Sequence, residues 1–258
     1  MSGMTVVYDT RFSDSAYADD NASVSGRMEA AMSGFGKGGV PVKIIGAHPA
    51  VLEEILLAHE KAYAASITEN TALFSMAALA AGGAILAAEC AYKGEPTFAC
   101  IRPPGHHASR ESAWGHCTFN NLAIALLTLR ERKCIENAFV LDIDAHTGDG
   151  TRTILKGWTE AEVFNPYADS AKEYLALVEQ RLSEIQKTDI LAVSAGFDAY
   201  IHDVGHKLDT DDYEKIGALV KNASRRLCKG RRFAVLEGGY FLPDLGKNVS
   251  AFCRGFSN

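Results

Sequence analysis

The chain has 258 residues, of which 47% are hydrophobic, and carries a formal charge of −6 at neutral pH. That length suits one α/β domain with a sizeable core, and the acidic balance argues against direct binding to a nucleic-acid backbone, which requires clustered Lys and Arg. The six cysteines include no C-x-x-C pair and sit mostly in apolar runs, which suggests reduced thiols in a cytoplasmic protein rather than a disulfide framework.

The amino end, Met1 to Asp9, lacks a basic segment followed by an apolar one, so no signal peptide is expected. Strand-like runs near 4–8 and 42–46 are followed by helical patterns near 50–65 and 71–92. The most apolar part of the second pattern, Leu73 to Ala88, stops at Glu89. It is shorter than a membrane span requires, so a buried helix is expected there. A strand near 97–101 leads into Arg102-Pro103-Pro104-Gly105-His106-His107-Ala108, and a helix near 120–133 follows. The strand expected at 138–144 carries Asp142, Asp144 and, just beyond it, His146. A helix near 170–187, a strand near 190–195 reaching Asp198, a helix near 211–228 and a strand near 233–237 complete the chain. The last strand breaks into Gly238-Gly239-Tyr240. Apolar strands alternating with helices imply a mainly parallel sheet covered on both faces. No linker or internal repeat divides the chain, so one domain spanning 1–258 is expected.

The chemistry concentrates at strand ends. Asp142, Asp144 and His146 occupy alternate positions, which in an extended strand face one side. A carboxylate and an imidazole held together are two ready ligands for a divalent metal such as zinc, and neighbouring buried acids need such a cation or hydrogen-bond donors. Asp198, at the end of another strand, is a third candidate ligand. The adjacent His106 and His107 suit proton shuttling near neutral pH. Gly238 and Gly239 would let the backbone approach the site and aim the Tyr240 phenol inward. His48, His59, His202 and His206 have no partner motif and are expected at the surface or in caps. Arg102 fits either a bound acid, such as released acetate, or a structural salt bridge.

The ordered set formed by Arg102–Ala108, Phe119–Ala125, Asp142–Thr151, Ala195–Asp198 and Leu236–Tyr240 resembles the zinc-dependent histone deacetylase family, which includes acetylpolyamine amidohydrolases. The Leu-Glu-Gly-Gly-Tyr form is closest to class II and prokaryotic members. The resemblance implies the arginase/deacetylase fold, a three-layer α/β/α sandwich. It also implies a deacetylase acting on acetyl-lysine or a small acetylated amine. Asp144, His146 and Asp198 would hold Zn2+, with Fe2+ as the alternative. His107 would be the general base and later the acid, with His106 an electrostatic neighbour. Tyr240 would stabilise the oxyanion, and Asp142 and Asp149 would orient His106 and His107. A structural K+ near the 142–146 carbonyls is implied as well.

Three departures from the family pattern stand out. His116, after Gly115, takes the place of a phenylalanine that lines the substrate channel. The segment between Gly150 and Asp198 is short, so the opposite aromatic wall is expected to be absent, or rebuilt by Tyr167 or by a partner subunit in an oligomer. Near Arg27 only the arginine of a longer motif remains, so an open site is expected. An arginase-like ureohydrolase would need a binuclear manganese site with further acids close to Asp198, as in Asp-x-Asp, and Ala199-Tyr200-Ile201-His202-Asp203 does not supply that pattern. The remaining alternative is a catalytically weak member that binds an acetylated ligand or a partner protein.

Overall fold

The structure, a computed structural model, describes residues 3–35 and 40–257. The first two residues of the amino end and the last of the expected domain lie outside them. Seven strands form one sheet: β1 (Met4–Val7), β2 (Val42–Ile45), β3 (Thr97–Ala99), β4 (Ala138–Asp142), β5 (Ala161–Phe164), β6 (Ile190–Ala195) and β7 (Arg232–Leu236). Their order is β2-β1-β3-β7-β6-β4-β5, and every pairing is parallel. The four central strands are buried throughout, whereas the edge strands β2 and β5 are partly exposed. This matches a sheet covered on both faces.

On one face lie α2 (Leu52–Ala58), α3 (Lys61–Thr68), α4 (Thr71–Tyr92), α5 (Asn121–Glu131) and α6 (Asp149–Leu155). On the other lie α1 (Arg27–Ser33), α7 (Ala171–Glu184), α8 (Thr210–Cys228) and α9 (Leu242–Phe256). The result is the expected three-layer sandwich. α4 covers the range expected of it, and at 22 residues the whole helix is long and apolar enough to cross a membrane, although its most apolar part is shorter. It packs instead against α5, β1, β3 and β7, which accounts for its Ala-rich composition. The helix expected over 50–65 is two helices, because His59 and Glu60 adopt extended backbone between α2 and α3.

Candidate active site

In the sheet, β3, β7, β6 and β4 lie side by side, so the segments leaving their carboxyl ends meet in one crevice, the usual ligand position of an open α/β sheet. β4 supplies Asp142 as its last residue. Beyond it the strand alternation does not continue. The chain turns because Asp142 Oδ1 accepts the Asp144 N–H at 3.1 Å and Asp144 Oδ1 accepts the His146 N–H at 2.9 Å. Asp142 therefore faces His106, while Asp144 and His146 turn toward Asp198.

Asp144, His146 and Asp198 bring one ligand atom each within 4.8 Å of one another. His146 Nδ1 lies 3.0 Å from Asp144 Oδ1 and 2.9 Å from Asp198 Oδ2. Asp198 Oδ2 is buried and receives no hydrogen bond. Burial and the Asp144 charge push the Asp198 carboxyl up to about 7. Asp144 is held below the usual carboxylate range: its burial is outweighed by the His106 charge and by hydrogen bonds from His146 and from the Gly238 N–H. Two buried carboxylates and an imidazole nitrogen, one oxygen lacking a donor, form a set that a divalent cation fits and that is costly without one. A Cβ at Gly238 would lie 2.6 Å from Asp144 Oδ2 and 2.7 Å from Asp198 Cγ. Glycine is thus required there for close approach.

His106 and His107 are both 3% exposed, with ring centroids 4.0 Å apart. Their partners differ. His106 Nδ1 donates to Asp142 Oδ2 at 3.1 Å, and its Nε2 lies 3.8 Å from Asp144 Oδ1. Burial opposes its charge, but Asp144, Asp142 and Glu237 together raise its pKa well above the ordinary value. His107 Nδ1 donates to Asp149 Oδ1 at 2.7 Å. Its pKa is lowered by burial and by the neighbouring His106 charge. The pair is thus split, with one imidazole favouring its proton and the other giving it up more readily.

The sequence reading assigned Glu237 no role. This fully buried carboxyl is pushed up to about 7 by burial. Its Oε2 accepts the backbone N–H groups of Gly105 at 2.7 Å and His106 at 3.2 Å, fixing the turn that carries the histidine pair. Asp203 was also passed over. Its Oδ2 accepts the N–H groups of Tyr240 at 2.6 Å and Phe241 at 2.7 Å. Arg27, fully buried, donates to the Gly239 carbonyl at 2.9 Å and lies 5.6 Å from the Tyr240 ring centroid. Burial raises the Tyr240 pKa far above that of a free phenol, so the group stays a proton donor. Glu237 stands inside a quoted motif, so a signal existed. Asp203, in a loop, carried none.

Tyr240, His106, His107, His146, Gly115 and His116 line a cleft of about 180 Å3, joined by Trp114 and Asn21. His116 faces Tyr240 edge-on at 6.0 Å and stands 3.8 Å from Asp20. Tyr167 does not rebuild the missing wall: it is 85% exposed, beside Lys207. Trp114 borders the cleft on the side of the histidine pair, stacked on His107. His59 departs from expectation because it is buried in the core, 1% exposed, against Tyr63 and Phe119. Arg102 is fully buried, donates to the Ser23 and Val24 carbonyls, and makes no ion pair among the described residues. The salt-bridge alternative is therefore set aside.

A family model described as "Histone deacetylase domain" matches residues 22–174 and 159–256. The chain belongs to the histone deacetylase family. This family member is 31% identical over 219 residues to a probable deacetylase of Methanothermobacter thermautotrophicus, covering 70% of the chain and 65% of the relative. It is 30% identical over 214 residues to an acetylpolyamine amidohydrolase of Burkholderia pseudomallei, covering 68% and 61%. Two chloroplastic histone deacetylases of rice and Arabidopsis thaliana are matched over only 44% of their own length. In fold it matches the crystal structure of the HDA15 HD domain with a TM-score of 0.83 at 21% identity, covering 98% of the chain and 90% of that structure.

Proposed function

We propose that the protein is a metal-dependent amidohydrolase that removes the acetyl group from acetyl-lysine or a small acetylated amine. One observation carries the reading: a histidine pair with split proton affinities, a tyrosine that keeps its proton and His146, one of three residues whose ligand atoms converge, line a single cleft. Asp144, His146 and Asp198 would hold the ion, Zn2+ or Fe2+. When bound, it supplies Lewis acidity that polarises the acetyl carbonyl and acidifies water.

The remaining work falls to the chain. His107 takes the proton of the attacking water at Nε2, since Nδ1 is engaged by Asp149, and returns it to the leaving amine. His106, fixed by Asp142, stays cationic and stabilises negative charge developing beside it. The Tyr240 O–H donates to the oxyanion, a contact worth about 3 kcal/mol in comparable sites. Asp203 and Arg27 hold the backbone that carries Tyr240. A K+ near the 142–146 carbonyls, a cytoplasmic location and an oligomer belong to the same proposal. The Asp142 and Ile143 carbonyls already accept from Asn165 at 3.3 Å and Tyr174 at 3.4 Å.

The test is turnover of zinc-loaded protein on a panel of acetyl-lysine peptide, trifluoroacetyl-lysine and acetylated polyamines, with His107→Ala alongside. Turnover that vanishes in the variant supports the proposal, and the best substrate locates its class. Metal-loaded protein no faster than His107→Ala on every member refutes it and favours an acetyl-ligand or partner-binding role.

A further inference from the structure

The loop after the histidine pair closes on His107 from three sides. Trp114 stacks on the imidazole, with ring centroids 3.6 Å apart and planes inclined by 29°. Gly115 passes so near that a Cβ there would fall 2.6 Å from His107 Cδ2. Cys117 Sγ accepts the His107 backbone N–H at 3.4 Å. Gly115 and His116 both have positive φ, 61° and 68°. These two consecutive left-handed residues fold Trp114 back over the ring.

Trp114 also makes a second contact that bears on the same histidine. Its Nε1–H donates to Asp149 Oδ2 at 3.0 Å, while Asp149 Oδ1 pairs with His107 Nδ1 at 2.7 Å. One indole therefore touches both members of the pair, the imidazole by its face and the carboxylate by its edge. The arrangement matters because the Asp149 side chain is 52% exposed. A half-solvated carboxylate rotates readily and trades its partner for water. Occupying its second oxygen holds it in the plane of His107. Trp114 itself is 54% exposed. Packing into the core therefore does not account for its placement.

We propose that Trp114 is a positioning residue that fixes the Asp149–His107 pair so that His107 Nε2 points into the cleft. This rests on the reading of His107 as the general base. A base swung away from its proton costs rate rather than substrate affinity, and small misplacements are expensive. The role is distinct from that of a channel wall, whose loss would fall mainly on KM.

Kinetics on the best panel substrate separate the two. Trp114→Phe keeps a stacking ring and removes the N–H; kcat is expected to fall about 3- to 10-fold with KM within about 2-fold. Trp114→Ala removes both contacts, with an expected loss in kcat of about 10- to 100-fold. On an Asp149→Ala background, Trp114→Phe is expected to cost less than about 2-fold more, because the interaction it breaks is already gone. A Trp114→Phe enzyme with wild-type kcat, a loss confined to KM, or factors that multiply unchanged in the double variant would overturn the proposal. So would loss of bound metal in Trp114→Phe. Wild-type protein without turnover overturns the deacetylase reading and this role together, whereas normal wild-type turnover with any of the outcomes above overturns the role alone.

Discussion

His59 gives a prediction whose size follows from its surroundings. Its Nε2 accepts the Asn120 backbone N–H at 2.9 Å, and its Nδ1 lies 2.7 Å from the Ser109 carbonyl. An N–H can only donate, so Nε2 must be unprotonated and Nδ1 must carry the hydrogen: the ring is neutral. Burial, opposed in part by the Ser109 bond, pushes its pKa down to about 4. In the unfolded chain it titrates near 6.5, so between those values the unfolded state binds a proton that the folded state refuses. Stability is complete above about pH 6.5 and declines as pH falls toward 4, approaching ~1.4 kcal/mol per pH unit and ~3.4 kcal/mol in all. His59→Gln keeps an acceptor and abolishes the titration. It is expected to be less stable at pH 7.5 by ~1–3 kcal/mol, through the lost Ser109 bond, yet to lose less stability on acidification. Urea unfolding of metal-stripped wild type and variant at pH 7.5, 6.5, 5.5 and 4.5 measures both slopes. Parallel slopes would show that His59 does not couple protonation to unfolding and would sink the argument.

Three further outcomes concern the site. Tyr240→Phe is expected to lower kcat by about 10²- to 10³-fold while binding a full equivalent of metal; unchanged turnover would remove the phenol from the reaction. Exhaustive chelation is expected to abolish turnover and lower Tm, with Zn2+ restoring both; at 100 times Kd the ion contributes ~2.7 kcal/mol to stability. A Tm unaffected by the metal would count against a site built from Asp144, His146 and Asp198. Gly238→Ala forces a methyl group against both carboxylates and is expected to weaken metal affinity at least tenfold, read by competition with a chromogenic chelator. Wild-type affinity would mean that the backbone there yields easily.

The central strands and the strand-end chemistry were legible because burial on both faces leaves long apolar runs, and because Asp142, Asp144 and His146 sit close in sequence. β5 escaped notice: Ala161-Glu162-Val163-Phe164 is a short edge strand, half exposed, and gives no apolar run. α9 could have been read, since Leu245, Val249, Phe252 and Phe256 recur at helical spacing behind Pro243. His59 could not, because a buried histidine and a surface one look alike until the groups around them are placed. The strand alternation argument brought Asp142 and Asp144 to one side, but the chain leaves the strand after Asp142. Two side-chain-to-backbone turns, invisible in a residue pattern, set the actual geometry. Trp114 acts on Asp149 across 35 residues of sequence, a pairing that only the folded loop reveals.

The strand order also dictates when the site can come into being during synthesis. β2, β1 and β3 can pair early, as can β4 and β5, but the two groups are joined only by β6 and β7, which are made later and occupy the middle. Until then β3 and β4 each present an open inner edge of residues that are all buried in the finished sheet, a template for mispairing. His106 and His107 ride on the first group and Asp144 and His146 on the second, while Asp198, Glu237 and Tyr240 arrive with the strands that zip them together. A chain synthesised and released only to residue 165 therefore leaves those inner edges unpaired and has no complete metal site. Metal capture becomes a report that the last strands have inserted.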